Sequence, residues 1–208
     1  MGTFSSKGTE GVTGCSGILV APDLVITAAH CTNKNTGLLD SKTFIAGLDG
    51  SRLLASSGAA KILRHPVYDF TKGNNAFRFD LAAVQLGRPI AAEIVKPVPL
   101  FPDGSALPEK GVLLAYRRSA KKSLHGRFDC PLQPTLAMGV ITSDCIVTSG
   151  NSGGAVMVKD GSDWKLAAII VARREPEGTA IAVELNDWLR DLVRDAMRRE
   201  AQRAAQAE

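Results

Sequence analysis

The sequence predicts an all-β fold, a sandwich or a barrel, closed by one C-terminal helix. Up to about residue 184 the apolar residues fall in short runs bounded by Gly, Pro, Asn or Asp, which is typical of strands joined by turns. Alanine-rich runs such as KLAAIIVA are too short and too tightly punctuated to favour helices. From Leu185 onward the apolar residues recur at helical spacing, which indicates an amphipathic helix capped by Asn186 or Asp187.

The helix also carries a pattern of opposite charges. Acidic and basic residues are three apart on its solvent side, which predicts the ion pairs Asp187–Arg190, Asp191–Arg194 and Asp195–Arg198. Because these charges cancel, the helix is not expected to bind DNA.

Length and composition restrict the function classes. A chain of 208 residues can bury a sizeable core, and neither a repeat nor a low-complexity linker divides it, so one domain is expected. No stretch reaches the roughly 18 apolar residues that span a bilayer, so no membrane span is predicted. The net charge is +4, but the densest basic run, from Arg117 and Arg118 to His125 and Arg127, lacks interleaved aromatic residues. It is interpreted as a solvated loop, and no nucleic-acid partner is predicted.

The four cysteines are spaced as two local pairs. Cys15 with Cys31 and Cys130 with Cys145 do not match the short spacings of metal or redox motifs. Two disulfides are therefore expected, each contributing about 3 kcal/mol through the loop it closes, and no metal or cofactor is expected. Disulfides indicate an oxidising, extracytoplasmic compartment. Because the segment MGTFSSKGTE lacks the apolar core of a signal peptide, the leader is expected to be absent from this sequence.

In the segment TSGNSGGAVM the hydroxyl of Ser152 is surrounded mainly by residues with small side chains or none. Gly150, Gly153 and Gly154 around Ser152 fit an ordinary turn. They also fit a nucleophile whose neighbouring backbone N–H groups are bare enough to bind a reacting carbonyl. A nucleophilic serine needs a general base, so the rest of the chain must decide between these interpretations.

His30 is the strongest candidate for that base. It ends the apolar run LVITAAHC beside Cys31, whereas His65 and His125 lie in settings typical of the surface. The orienting acid should be held in apolar surroundings. Asp80 in FRFDLAAVQL is flanked by apolar sequence on both sides, whereas the other candidates lie in polar, turn-like sequence: Asp40, Asp49 and Asp69.

The order of the three residues excludes two other hydrolase classes. The α/β-hydrolases place their acid and histidine after the serine, but no histidine follows His125. The subtilisin order needs an acid before His30, where only Glu10 and Asp23 occur. What remains is the order His30, Asp80, Ser152.

Three motifs in that order resemble those of trypsin-like serine proteases of the bacterial type. CSGILVAPDLVITAAHC resembles the cysteine-bounded histidine motif, FDLAAVQL the aspartate motif and GNSGGAV the serine motif, and the resemblance runs from about residue 11 to 192. It implies two six-stranded antiparallel Greek-key β-barrels with a C-terminal helix. Within a single domain over residues 1–208, the barrels are expected at about 11–95 and 96–184, and the helix and tail at 185–208.

The resemblance also implies the roles of the site residues. Ser152 would attack the scissile carbonyl of a polypeptide, His30 would carry the proton and Asp80 would orient His30. The N–H groups of Gly150 and Ser152 would form the oxyanion hole.

Two departures from digestive members of the family affect activation and specificity. Asn151 stands where those enzymes have the aspartate that pairs with a freshly cut N-terminus, so activity is not expected to need such a cut. By offset the substrate pocket would be lined by Ile146, Val147, Val171, Ala172 and Arg173. None of these is acidic, which predicts an apolar or small side chain at P1, the residue before the scissile bond.

Two alternatives stay open at this point. The same fold could serve as a catalytically silent binding module or as an esterase. A monomer is expected, and a protein inhibitor is the other partner class that the resemblance allows.

Overall fold

The structure, a computed structural model, describes residues 1–5, 12–32, 43–68, 77–117 and 119–207. Several residues considered above lie outside the described residues: Glu10, Asp40, Asp69 and Arg118. No helix of the described chain is long and apolar enough to cross a membrane.

The N-terminal half forms a closed antiparallel barrel in the order β1-β2-β3-β6-β5-β4. Its strands are β1 Gly2–Ser5, β2 Val12–Ala21, β3 Leu24–Thr27, β4 Thr43–Ala46, β5 Ala55–Arg64 and β6 Ala82–Leu86. A single 3₁₀ turn, Ala29–Thr32, follows β3. The apolar runs that predicted strands face inward here, and β3 is buried along its whole length.

The C-terminal half forms one antiparallel sheet in the order β8-β7-β11-β12-β13-β10-β9. Its strands are β7 Lys110–Arg117, β8 Ala120–Pro131, β9 Gln133–Pro134, β10 Val140–Ile146, β11 Ala155–Asp160, β12 Asp163–Arg174 and β13 Thr179–Glu184. Because β9 continues from β8 after Leu132 alone, this bent segment borders the sheet at both edges. Taken as one bent strand, it gives this half the six strands of a barrel.

The helix α1, Asp187–Ala207, closes the fold. Asn186 caps it by accepting the N–H of Leu189 at 3.2 Å, as the sequence predicted. Two of the three predicted ion pairs form, Asp191–Arg194 and Asp195–Arg198. The predicted Asp187–Arg190 pair does not, because Arg190 turns towards the segment between the barrels and contacts Asp103 and the Phe101 carbonyl.

The two barrels and the helix share one apolar core. A single cluster of buried side chains joins Phe4 and Ile18 of the first barrel, Met157 and Leu166 of the second, and Leu189 of α1. The chain between the barrels bonds to both of them, since Val98 N–H donates to the Leu19 carbonyl at 2.8 Å and Phe101 N–H to that of Leu166 at 2.8 Å. The predicted fold class, two β-barrels with a C-terminal helix, is confirmed.

Candidate active site

His30 and Asp80 contact each other directly. His30 lies on the 3₁₀ turn that follows β3, and the buried Asp80 lies two residues before β6. One carboxylate oxygen accepts the His30 backbone N–H at 2.8 Å, and the other lies 2.6 Å from Nδ1 of the ring. With Nδ1 bonded to Asp80, the imidazole presents Nε2 for proton transfer.

A disulfide fixes the turn that carries His30. Cys31 is bonded to Cys15 of β2, and both cysteines are buried. The ring of His30 keeps about a third of its surface exposed, with 34% of the side chain accessible. The imidazole is therefore held from its backbone and its Nδ1 side while its remaining surface reaches solvent.

Ser152 lies on the turn between β10 and β11, and this turn is bonded to the first barrel. The Ser152 carbonyl accepts the N–H of Ser16 at 2.8 Å, and Ser16 follows Cys15, the partner of Cys31 in the disulfide. The Ser152 turn is thus linked to the His30 turn through the hydrogen bond to Ser16, the peptide bond between Ser16 and Cys15, and the disulfide from Cys15 to Cys31. The structure brings the predicted nucleophile to the strand that anchors the predicted base.

Glycine is required at two positions of this turn for different reasons. Gly150 has a φ of 101°, a conformation that residues with a Cβ rarely adopt. At Gly153 a Cβ would lie 2.2 Å from the Ser16 carbonyl oxygen and 2.3 Å from Thr27 Oγ1. The glycines around Ser152 therefore shape the turn and also let it lie directly against β2 and β3.

Asn151 holds the same turn from inside the protein. Its buried Oδ1 accepts the N–H of Thr148 at 2.7 Å, and its Nδ2 donates to the Tyr116 carbonyl at 2.9 Å. The Tyr116 phenol in turn donates to the Leu48 carbonyl of the first barrel at 3.0 Å. Burial raises the pKa of the Tyr116 phenol, so the phenol remains a donor. Asn151, which stands where digestive members of the family have an aspartate, is therefore held by hydrogen bonds between uncharged groups.

A comparison with protein families identifies the family of the chain. A family model described as a trypsin-like peptidase domain matches residues 15–169, a stretch that includes His30, Asp80 and Ser152. The chain belongs to the trypsin-like peptidase family. The match supports a serine-protease-like function and polypeptide substrates.

The predicted pocket residues of this trypsin-like peptidase lie on the segments that flank the Ser152 turn. Val147 and Val171 are buried, Ala172 is half-buried, and Ile146 is 55% exposed. The strand carrying Val171 runs beside the turn, since the preceding residue, Ile170, exchanges two hydrogen bonds of 2.8 Å with Gly153 and Gly154.

The remaining predicted pocket residue, Arg173, forms an ion pair. Arg173 pairs with Glu175 at 2.6 Å. Both side chains are more than a third exposed, so the pair is weak.

The second disulfide joins Cys130 of β8 to Cys145 of β10. Both disulfides predicted from the cysteine spacing are thus formed. Among the described residues, one group could hold a metal by proximity, Cys15, His30 and Cys31. Its two sulfurs are bonded to each other, so they are not thiolates and offer no strong metal ligands.

The interpretation of the basic run as a loop is wrong for its described residues, although Arg127 is exposed to solvent as expected. Arg117 ends β7, whereas His125 and Arg127 lie on β8. Arg117 and His125 are half-buried, beside Thr148 and Asn151 of the Ser152 turn. Sequence reasoning missed these side chains, although the alternation of His125 and Arg127 is a signal for one face of a strand.

Proposed function

We propose that this trypsin-like peptidase is a serine endopeptidase whose catalytic residues are Ser152, His30 and Asp80. The observation that carries the proposal is the double contact of Asp80 with His30, at 2.8 Å and 2.6 Å. A buried carboxylate that holds both the backbone and one ring nitrogen of a partly exposed histidine fixes its orientation and tautomer.

Each residue then has a defined step. Ser152 Oγ attacks the scissile carbonyl carbon as its proton moves to His30 Nε2, and Asp80 stabilises the imidazolium. The oxyanion accepts hydrogen bonds from the N–H groups of Gly150 and Ser152, each such donor contributing roughly two to three orders of magnitude in rate. When the intermediate collapses, the proton passes to the leaving amine. Water then takes the place of the amine: it attacks the acyl carbon as its proton moves to His30, and the proton passes to Ser152 Oγ as the ester bond breaks and releases the acid.

The pocket walls support a restriction on the P1 side chain. Val147 and Val171 are apolar and buried, and none of the five predicted pocket residues is acidic. A lysine or arginine at P1 would have no carboxylate to pair with among them, so we expect apolar or small P1 side chains to be accepted and basic side chains to be disfavoured.

Activity should not require a newly cut N-terminus, since Asn151 is uncharged and already bonded to Thr148 and Tyr116. The two disulfides fit an extracytoplasmic compartment, which we propose as the location.

The test is covalent labelling with a fluorophosphonate probe, followed by peptide hydrolysis. Wild-type protein should be labelled, Ser152→Ala and His30→Ala should not, and Ser149→Ala, which removes an exposed neighbouring hydroxyl, should be labelled as the wild type is. Peptides should be cleaved by the labelled proteins alone.

Two results would contradict the proposal. A folded wild-type protein that is not labelled would be a catalytically silent binding module. A protein that is labelled and hydrolyses esters but no peptide would be an esterase on the same fold.

A further inference from the structure

A cluster of basic side chains lies beside the Ser152 turn and has no role in the chemistry described above. Arg117, His125 and Arg127 line a recess whose opposite wall includes Thr148 and Asn151. We refer to these five residues as the basic recess.

Strand register explains why two of the basic residues, His125 and Arg127, face the same way. On the paired strands β7 and β8, Ala115 lies opposite His125 and Leu113 lies opposite Arg127. Leu113 and Ala115 are buried in the core of the second barrel. Because residues two apart on a strand share a face, His125 and Arg127 lie on that same side, where His125 is half-buried and Arg127 is exposed.

Two polar atoms of the basic recess have no partner among the described residues. Arg117 Nε and His125 Nε2 are buried and have no hydrogen-bond partner within the described part of the chain. No acidic residue lines the recess, and no ion pair with a described residue involves any of its three basic side chains. Buried donors of this kind are rare in native proteins unless a ligand or an ion completes them, and a guanidinium beside an imidazole suits a carboxylate.

The position of the recess points to the source of that carboxylate. Its lining continues into Ile146 and Val147, which are also predicted walls of the substrate pocket, and into Ile170 beside Val171. An acidic substrate side chain that follows this apolar lining would place its methylene groups against it and its carboxylate among the basic residues.

We propose that the basic recess binds the carboxylate of an acidic P1 side chain, so that the protein prefers substrates cleaved after glutamate or aspartate. This inference rests on the proposed endopeptidase function and revises its P1 expectation: the apolar walls contact the methylene groups of the side chain, and the basic recess binds its charged end. It also gives a second reason for the exclusion of lysine and arginine, whose charges the recess repels.

The test compares peptides that differ only at P1, with Glu, Asp, Gln, Leu or Lys. In wild-type protein kcat/KM for the Glu peptide should exceed that for the isosteric Gln peptide by about 10- to 100-fold, the usual range for a hydrogen bond to a charged group. Arg117→Gln should bring the Glu/Gln ratio close to one. Arg88→Gln removes an exposed arginine of the first barrel and should leave the ratio unchanged.

A second variant guards against misfolding of the first. If thermal unfolding shows that Arg117→Gln is not folded, His125→Gln is measured in the same way, and a smaller Glu/Gln ratio is again expected. In wild-type protein free glutarate should also inhibit hydrolysis of the Glu peptide competitively.

Several outcomes would overturn the inference. A labelled wild-type enzyme with a Glu/Gln ratio near one, or a preference for Glu that survives both variants, removes the recess from substrate recognition. If acetate or glutarate changes the rate on the Leu peptide in wild-type protein but not in Arg117→Gln, while Glu and Gln peptides react equally, the recess binds a free anion and not the substrate. A folded protein that the fluorophosphonate does not label overturns the proposed function, and this inference with it.

Discussion

Asp80 and Asp23 are both buried carboxylates of the first barrel, but their partners differ. Asp80 is 5% exposed and accepts two hydrogen bonds from His30, whereas Asp23 is 1% exposed and contacts two arginines of helix α1. Arg203 lies 2.9 Å from Asp23, and Arg199 lies 3.4 Å from it. The sequence around Asp80 suggested a function, whereas Asp23 was considered only as an acid that precedes His30.

The partner decides what a buried carboxylate can do. An arginine keeps its charge at every working pH, and the hydrogen bond that Arg203 donates to Asp23 raises the pKa of Arg203 further, so this contact can only hold the helix in place. A histidine can accept and release a proton. The same burial therefore produces an anchor at Asp23 and, in our proposal, an orienting group at Asp80.

The substitution Asp80→Asn should have the largest effect on activity. The amide still accepts the His30 backbone N–H through its oxygen, but its nitrogen then faces Nδ1 and favours the wrong tautomer of the ring. We expect kcat to fall by roughly four orders of magnitude while thermal unfolding changes little. A loss of less than tenfold in peptide hydrolysis would mean that Asp80 is an anchor like Asp23.

Removing each disulfide in turn separates its effect on the position of His30 from its effect on the stability of the fold. The bonds Cys15–Cys31 and Cys130–Cys145 close loops with sequence separations of 16 and 15, so each paired substitution by alanine should cost about 3 kcal/mol in denaturant unfolding. Only the first pair adjoins His30, and only its loss should lower kcat, by at least about tenfold through misplacement of the ring. Equal losses of kcat in the two variants would show that the effect is one of general stability.

Asp23→Asn should affect stability and not catalysis. The helix would lose charge-assisted hydrogen bonds at its far end, and because both arginines are more than a third exposed, solvent limits the loss to about 1–2 kcal/mol. Asp195→Asn, which breaks an exposed pair with Arg198, is the matched control and should cost less than about 0.5 kcal/mol. A change in kcat caused by Asp23→Asn would contradict the distinction between the two carboxylates.

Local patterns were enough to predict the strands, the helix with its Asn186 cap, both disulfides and the pairing of His30 with Asp80. Each of these has a short signal in the sequence: an apolar run, a periodicity, a spacing or a carboxylate in apolar surroundings. The motif order then supplied the arrangement of the barrels.

Contacts between distant segments could not be predicted in this way. Asp23 and Arg203 are 180 residues apart, and nothing near either of them indicates the other. The inward direction of Arg117 and His125 depends on the register of two strands and on the Ser152 turn above them. Charged runs are usually exposed, so the sequence favoured a loop where the structure has half-buried strand residues.

His65 packs between the segment that carries Asp80 and helix α1, whose arginines contact Asp23. Its substitution has the smallest predicted effect on stability. Its ring lies 4.9 Å from that of Phe79, next to Asp80, and 5.1 Å from that of Trp188 in α1. Burial lowers the pKa of His65 from its ordinary value of 6.5, so the unfolded chain binds the proton more readily. The contribution of His65 to stability is therefore complete above about pH 6.5 and decreases as the pH falls through 6.5 towards the folded-state pKa.

His65→Phe keeps an aromatic ring in this place and removes the titration. The unfolding temperature of the variant should consequently fall less between pH 7.5 and pH 5 than that of the wild type, by a modest margin set by one partly exposed group. Parallel pH profiles for the two proteins would mean that protonation of His65 is equally easy in the folded and unfolded states. Phe79 and Trp188 would then connect the Asp80 segment to the helix without any dependence on pH.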